Sequence, residues 1–195
     1  MLLLTFFLFY FATTFVMPSW LVWKKTGIYP VVLPADDTVY GFVGGIFRAV
    51  FALIFACVCA QAFAREWLDD VFPGFAFLES VVFKWIGWTL LIGSWVLIVA
   101  AQRTMSRSWR VGIDTEHRTD MVQNGLFAYS RNPIFLGMLL TMTGLFAVLP
   151  NALTLLTLVV SWVVISVQVR LEEAFLAEQH GQAYADYGSK VRRWL

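Results

Sequence analysis

Charge is scarce in this chain: only 14% of its 195 residues are Asp, Glu, Lys or Arg, and the net charge is +1. That overall balance suggests neither nucleic acid nor an acidic partner, and the distribution of charge is what matters. Cysteine is nearly absent too. Cys57 and Cys59 stand two apart in an apolar run, where a helix turns them to different sides, which leaves no disulfide framework and no metal site. The two histidines, His117 and His180, lie in separate polar segments without a ligand partner at metal spacing. No P-loop, strand-borne G-x-G-x-x-G or G-x-S-x-G elbow occurs, so standard nucleotide folds and the common serine hydrolases are excluded. No repeat or low-complexity tract is present.

Apolar residues fill the space that charge leaves, at 59% hydrophobic and 17% aromatic. A bilayer's hydrocarbon core of about 30 Å needs about 20 apolar residues in a helix. Residues 2–23 qualify, and they read as an anchor because no positive residue precedes them and no small-x-small cleavage site follows. Further spans are expected at about 40–63 and 81–101. The intervening "REWLDDVFPGFAFLE" has the aromatic and acidic character of an interfacial segment. Gly41, Gly44 and Gly45 permit close helix approach early in the second span.

Between Arg131 and Arg170 runs an apolar stretch of roughly 38 residues, about 57 Å as one helix and nearly twice the membrane's thickness. Two short helices joined at "LPN", Leu149 to Asn151, fit better, since Pro150 cannot continue a helix and Asn151 suits a turn. The expected fold is therefore all-α: an integral membrane bundle of five transmembrane helices, with spans four and five forming a short hairpin, followed by a C-terminal amphipathic helix. It reads as one domain over residues 1–195, divided into three N-terminal spans (1–101) and a loop, hairpin and final helix (102–195).

Charge sets the orientation. Lys24 and Lys25 follow span one; Arg103, Arg107, Arg110, Arg118 and Arg131 lie between spans three and four; Arg170, Lys190, Arg192 and Arg193 follow span five. Glu66, Asp69, Asp70 and Glu79 occupy the opposite loop. The positive-inside rule then puts the N-terminus outside and the C-terminus in the cytoplasm, in a bacterial inner membrane rather than the endoplasmic reticulum.

Chemistry is confined to two polar segments on one side, residues 102–132 and the tail from 170. In "FAYSRNPIFLGM", Pro133 suits the first turn of a helix and Asn132 its cap, and the N–H groups of that turn are open to an anionic ligand. Glu172 and Glu173 stand where span five leaves lipid, an expensive place for carboxylates without partners. Arg48, inside span two, either snorkels to the surface or binds an acceptor's phosphate or carboxylate.

Taken in order, "MVQNGLF", "RNPIFLG", the hairpin, "EEAFL", "GQAYADY" and "KVRR" resemble the isoprenylcysteine carboxyl methyltransferase and phospholipid N-methyltransferase superfamily, over about residue 109 to the end. The superfamily pattern is L-V-x-x-G-x-Y, R-H-P-x-Y-x-G, a hairpin, E-E-x-x-L and G-x-x-Y-x-x-Y before a basic terminus. Asn132 stands for the motif histidine, Phe135 for its tyrosine, and Gln168 for an arginine of the methyl-esterifying members.

The resemblance implies an S-adenosylmethionine-dependent membrane methyltransferase acting on a lipophilic small molecule, a prenylcysteine-like carboxylate or a lipid headgroup that enters from the bilayer. It places the cofactor against Gly112, Thr119, Asp120, Met121, Val122, Phe127, Asn132, Pro133, Ile134, Phe135 and Glu172. Arg131, Glu173 and Arg170 become the catalytic candidates, Glu173 as a base for an ammonium acceptor, with Arg48 and Gln168 facing the acceptor. No metal and no nucleic acid are expected. The alternatives are an NADPH-dependent reductase of the sterol reductase type and a non-catalytic membrane scaffold.

Overall fold

The computed structural model describes the whole chain except residues 33, 35, 107, 108 and 113–120. Among the described residues, four helices are long and apolar enough to cross a membrane: α1 (Leu2–Thr26), α2 (Val39–Phe63), α4 (Val81–Met105) and α6 (Ala152–His180). A fifth apolar helix, α5 (Pro133–Val148), is shorter. Two short α-helices complete the set among the described residues, α3 (Arg65–Val71) between α2 and α4 and α7 (Gln182–Lys190) after α6. The chain is an all-α integral membrane bundle, and among the described residues β pairing is limited to two isolated bridges.

Those bridges pin opposite ends of the bundle. At one end Val31 pairs with Val111, with Val32 N–H donating to the Val111 carbonyl (2.7 Å) and Val111 N–H to that of Pro30 (2.8 Å). At the other, Gly74 pairs with Asn151 and Phe75 N–H donates to the Pro150 carbonyl (2.7 Å), so the connector after α3 holds the hairpin turn. Asn151 starts α6 with a reciprocal capping box to Thr154.

Pro18 leaves a mark in α1. Having no N–H, it cannot bond the Thr14 carbonyl as a regular helix would. The helix widens there into a π turn over Ala12–Val16, with Met17 N–H reaching the Ala12 carbonyl. The Thr14 carbonyl is instead met by the buried Gln102 side chain of α4 (2.6 Å).

Close approach of α4 and α5 rests on small residues. A Cβ on Gly144 would stand 3.0 Å from the Gly87 carbonyl oxygen, and one on Gly87 would stand 2.8 Å from the Val148 backbone nitrogen. In lipid, where apolar surface alone does not drive association, such backbone proximity supplies the packing. Beside it the Thr141 hydroxyl joins Tyr10 of α1 and Ser94 of α4, each at 2.9 Å. One apolar cluster, with Phe7, Ile54, Leu91 and Leu145, binds α1, α2, α4 and α5. A second, with Phe47, Leu139 and Ile165, binds α2, α5 and α6.

The hairpin is asymmetric, unlike the two short helices expected. α5 has 16 residues, about 24 Å, less than the ~30 Å of hydrocarbon it would have to cross. α6 has 29 residues, about 44 Å, and absorbs the segment from Arg170 that was expected to be part of a separate amphipathic helix. Between Asn151 and Gly181 the sequence contains no Gly or Pro to stop it. The break falls at Gly181, whose φ of 55° suits a residue without Cβ, and α7 then folds back toward the start of α5.

Candidate functional site

The start of α5 lies at the centre of the site. Pro133 is its first residue, yet Asn132 does not cap it: no side-chain cap bond is made there. Its amide donates instead to Glu173 Oε1 (3.1 Å) and to the Arg193 carbonyl (3.2 Å), while its own backbone N–H is taken by Ser130 Oγ (3.2 Å). The first turn of α5 is thus left without a side-chain acceptor, and Ile134 and Phe135 of that turn line a cleft.

Glu173 is the hub beneath. Arg193 grips its carboxylate through Nε (3.1 and 3.2 Å) and Nη2 (2.8 Å), and Arg131 Nη2 approaches both oxygens at 3.2–3.3 Å. Two guanidiniums and one amide satisfy a carboxylate that would otherwise be costly to bury. Arg131 also donates to the Gly188 carbonyl (3.2 Å), where a Cβ would stand 2.7 Å from Arg131 Nη1. The last residues close the arrangement like a strap. Arg131 N–H donates to the Arg192 carbonyl (2.9 Å), and Trp194 packs against the cluster around Ile165.

α7 seals the outer side. Tyr184 and Tyr187 are buried, and the Tyr187 hydroxyl donates to the Phe127 carbonyl (2.7 Å). Burial pushes both phenols up to about 12, and nearby Glu173 adds to the rise. Hydrogen bonding to Glu173 raises the Arg193 guanidinium above its ordinary range.

The cleft itself is walled by aromatic and aliphatic side chains from α1, α2, α4 and α5, with Trp109 and Phe127 from the segments between α4 and α5. Its polar atoms come from Gln102, Arg110, Arg131, Asn132, Gln168 and Glu172. An apolar pocket with a few converging polar groups is the usual form of a small-molecule site. Gly112, which lines the cleft with φ of 88°, follows Val111, whose bridge to Val31 holds this segment. Among the described residues no donor is bonded to the Glu172 carboxylate, in contrast to its neighbour.

The expected site residues fall into groups. Gly112, Phe127, Arg131, Asn132, Pro133, Ile134, Phe135, Gln168 and Glu172 all line the cleft, although they come from segments up to 60 residues apart. Met121 and Val122 are half-buried and do not line it, and Thr119 and Asp120 lie outside the described residues, as do Arg107 and Arg118. Glu173 is engaged with the arginines rather than lining the cleft. Arg170 is exposed and donates to the Ser166 carbonyl of its own helix (2.6 Å). Arg48 is exposed, donates to the Pro34 carbonyl, and borders a neighbouring groove with Trp20, Trp23 and Tyr29.

Sequence reasoning took Arg193 only as part of a basic tail and passed over Gln102, Trp109, Phe47 and Phe51. The unbroken run from Asn151 to Gly181 and the final "RRW" were the available signals for Arg193. Nothing local in the sequence marks the others.

Comparison with known proteins gives one family match and two similar relatives. The phospholipid methyltransferase family matches residues 82–183. Two curated relatives named protein-S-isoprenylcysteine O-methyltransferase are similar. One, from Dictyostelium discoideum, is 24% identical over 133 residues, 67% of this chain and 55% of its own. The other, from Saccharomyces cerevisiae, is 29% identical over 146 residues, 69% of this chain and 60% of its own. The match therefore spans rather more than half the length of each relative. With the family match running from α4 through α5 and α6 to the turn that begins α7, this chain belongs to the phospholipid methyltransferase family.

Proposed function

We propose that this protein is an S-adenosylmethionine-dependent membrane methyltransferase whose acceptor is a lipophilic molecule reaching the cleft from the bilayer. The observation that carries it is the meeting, in one cleft, of Phe127, the uncapped first turn of α5 and the unbonded Glu172 carboxylate. The residues present fit the donor. An uncapped helix start suits its carboxylate, Glu172 its ribose hydroxyls or ammonium, and the faces of Trp109, Phe127 and Phe135 its purine and sulfonium.

Bound there, S-adenosylmethionine supplies a methyl group activated on sulfur. The chain's own contribution is alignment and exclusion of water. Phe127 and Phe135 attract a cation by about 0.5–2 kcal/mol. Gly112 lets backbone approach the ligand without a Cβ in the way. Glu173, committed to Arg131 and Arg193, is a positioning residue: it fixes Asn132 and hence the start of α5. Arg48, in the groove that shares Phe15, Phe51 and Val111 with the cleft, would attract an acidic group on the acceptor.

Calorimetry on detergent-purified protein with S-adenosylmethionine, S-adenosylhomocysteine and NADPH tests the reading. Binding of both adenosyl ligands and not of NADPH is expected. NADPH binding alone would replace the methyltransferase with a reductase, and silence to all three would leave a scaffold. Glu172→Ala is expected to abolish adenosyl binding, whereas Arg48→Ala leaves it intact and lowers turnover.

A further inference from the structure

A second cavity continues from the cleft into the bundle. Phe15, Phe47, Phe51 and Met138 line both, and beyond them the wall includes Phe7, Tyr10, Ile54, Thr141 and Ser161. From Phe15 to Phe7 on α1, and from Phe47 to Phe55 on α2, eight positions at 1.5 Å rise give a chamber about 12 Å deep. Phe11, Ala52 and Phe55, all exposed, leave it open to lipid between α1 and α2.

One face of α6 runs through both spaces. Glu172 and Gln168 line the cleft, Ile165 and Ser161 the chamber, at intervals of four, three and four residues that keep them on a single stripe. Ser161 is 3% exposed, and its hydroxyl has no hydrogen-bond partner among the described residues. The other chamber hydroxyls, Tyr10 and Thr141, are bonded to each other. A buried hydroxyl facing hydrocarbon is unfavourable, and Ser161 is not taken up by its own helix as Thr157 is by the Leu153 carbonyl.

We propose that the chamber holds the tail of a single-chain lipophilic acceptor carrying one hydrogen-bonding oxygen, and that Ser161 recognises this oxygen. Resting on the reading of the cleft as the transfer site, it narrows the acceptor class. The distance is fixed by the helix: Ser161 lies seven residues, about 10 Å, from Gln168 along α6. The recognised oxygen therefore sits on the order of 10 Å along the tail from the end that enters the cleft. A chain of pure hydrocarbon would leave the serine unsatisfied, and a diacyl lipid would have to place its second chain outside the chamber, in the adjoining groove of Trp20, Trp23 and Tyr29 or in the bilayer.

The test measures thermal shifts of the detergent-purified protein against increasing concentrations of three probes: a long-chain primary alcohol, the same chain with a mid-chain ketone, and diacyl phosphatidylethanolamine. S-adenosylhomocysteine is titrated in parallel to report the cleft separately. The ketone is expected to bind about three- to tenfold more tightly than the plain chain. Ser161→Ala is expected to equalise the two, while diacyl lipid gives a smaller shift than either chain. Ala52→Trp, at the lipid-side mouth, is expected to weaken both chains and spare S-adenosylhomocysteine. Equal binding of the two chains to the wild type, or a preference that persists in Ser161→Ala, overturns the assignment of Ser161. Binding of S-adenosylhomocysteine without any chain binding overturns the chamber while the transfer site stands. Chain binding with no adenosyl response removes the transfer site instead.

Discussion

At the scale of single residues, the adjacent glutamates on α6 have different work because their surroundings differ. Glu173 has two arginines and an amide; Glu172 faces the cleft with none of these. Removing the hub leaves two buried or half-buried cations facing each other, so Glu173→Ala should destabilise the protein by about 3 kcal/mol. Arg193→Ala should cost only about 1 kcal/mol, since its side chain is 36% exposed and Arg131 remains on the carboxylate. Denaturant titration in detergent, with the double variant closing the cycle, checks both; equal losses would contradict the hub. The motif spacing made Asn132 and Glu172 legible in sequence, because local order carries that information. Asn132 as a tether rather than a cap was not legible. Its partner Arg193 is 61 residues away and is brought back only by the turn at Gly181.

Among elements, the informative contrast is between the two helices of the hairpin. Their existence follows from hydropathy and from Pro150, but their inequality depends on where the chain finds a stop. α5 is bounded by Pro133 and the Leu149–Asn151 turn, whereas α6 runs on until Gly181. The pairing of α4 with α5 was not foreseen, since Gly87 and Gly144 look like any glycines in apolar runs until their helices meet. Gly144→Val should push against the Gly87 carbonyl and Leu91 and destabilise by roughly 1–3 kcal/mol. Gly93→Ala, with nothing within 4 Å of the added Cβ, should be neutral or slightly stabilising and serves as the control. A second test concerns α7. Tyr184 and Tyr187 have phenols raised from 10 to about 12, so the stabilisation tied to their neutral forms is complete below pH 10 and is lost as pH rises from 10 towards 12. Phenolate absorbance should therefore include a late-titrating contribution from both of these tyrosines. In Tyr184→Phe and Tyr187→Phe the late component should shrink by one tyrosine each.

For the whole molecule, bundle geometry makes a statement about sidedness that the charge pattern alone only suggests. If α5 crosses despite its 16 residues, five crossings put the two termini on opposite faces of the membrane. The site end then carries Arg110, Arg131, Arg192 and Arg193, together with the exposed part of α7. The other end carries the acidic connector with Glu66, Asp69, Asp70 and Glu79. We expect the site end to face the cytoplasm. Ser189 lies exposed on α7, so Ser189→Cys should react with a membrane-impermeant maleimide in inside-out vesicles and be protected in right-side-out ones. A cysteine at the exposed Asp70 should behave in the opposite way. Cys57 and Cys59 lie six and four residues from the Phe63 end of α2, so both are replaced by alanine before labelling. Labelling of both introduced cysteines from one side would mean that α6 crosses without α5, since a pair that both cross or both re-enter returns Ser189 to the side of the basic loop. The cleft would then need a different route for its donor, because the strap of residues 191–195 and α7 would no longer share a compartment with the basic loop.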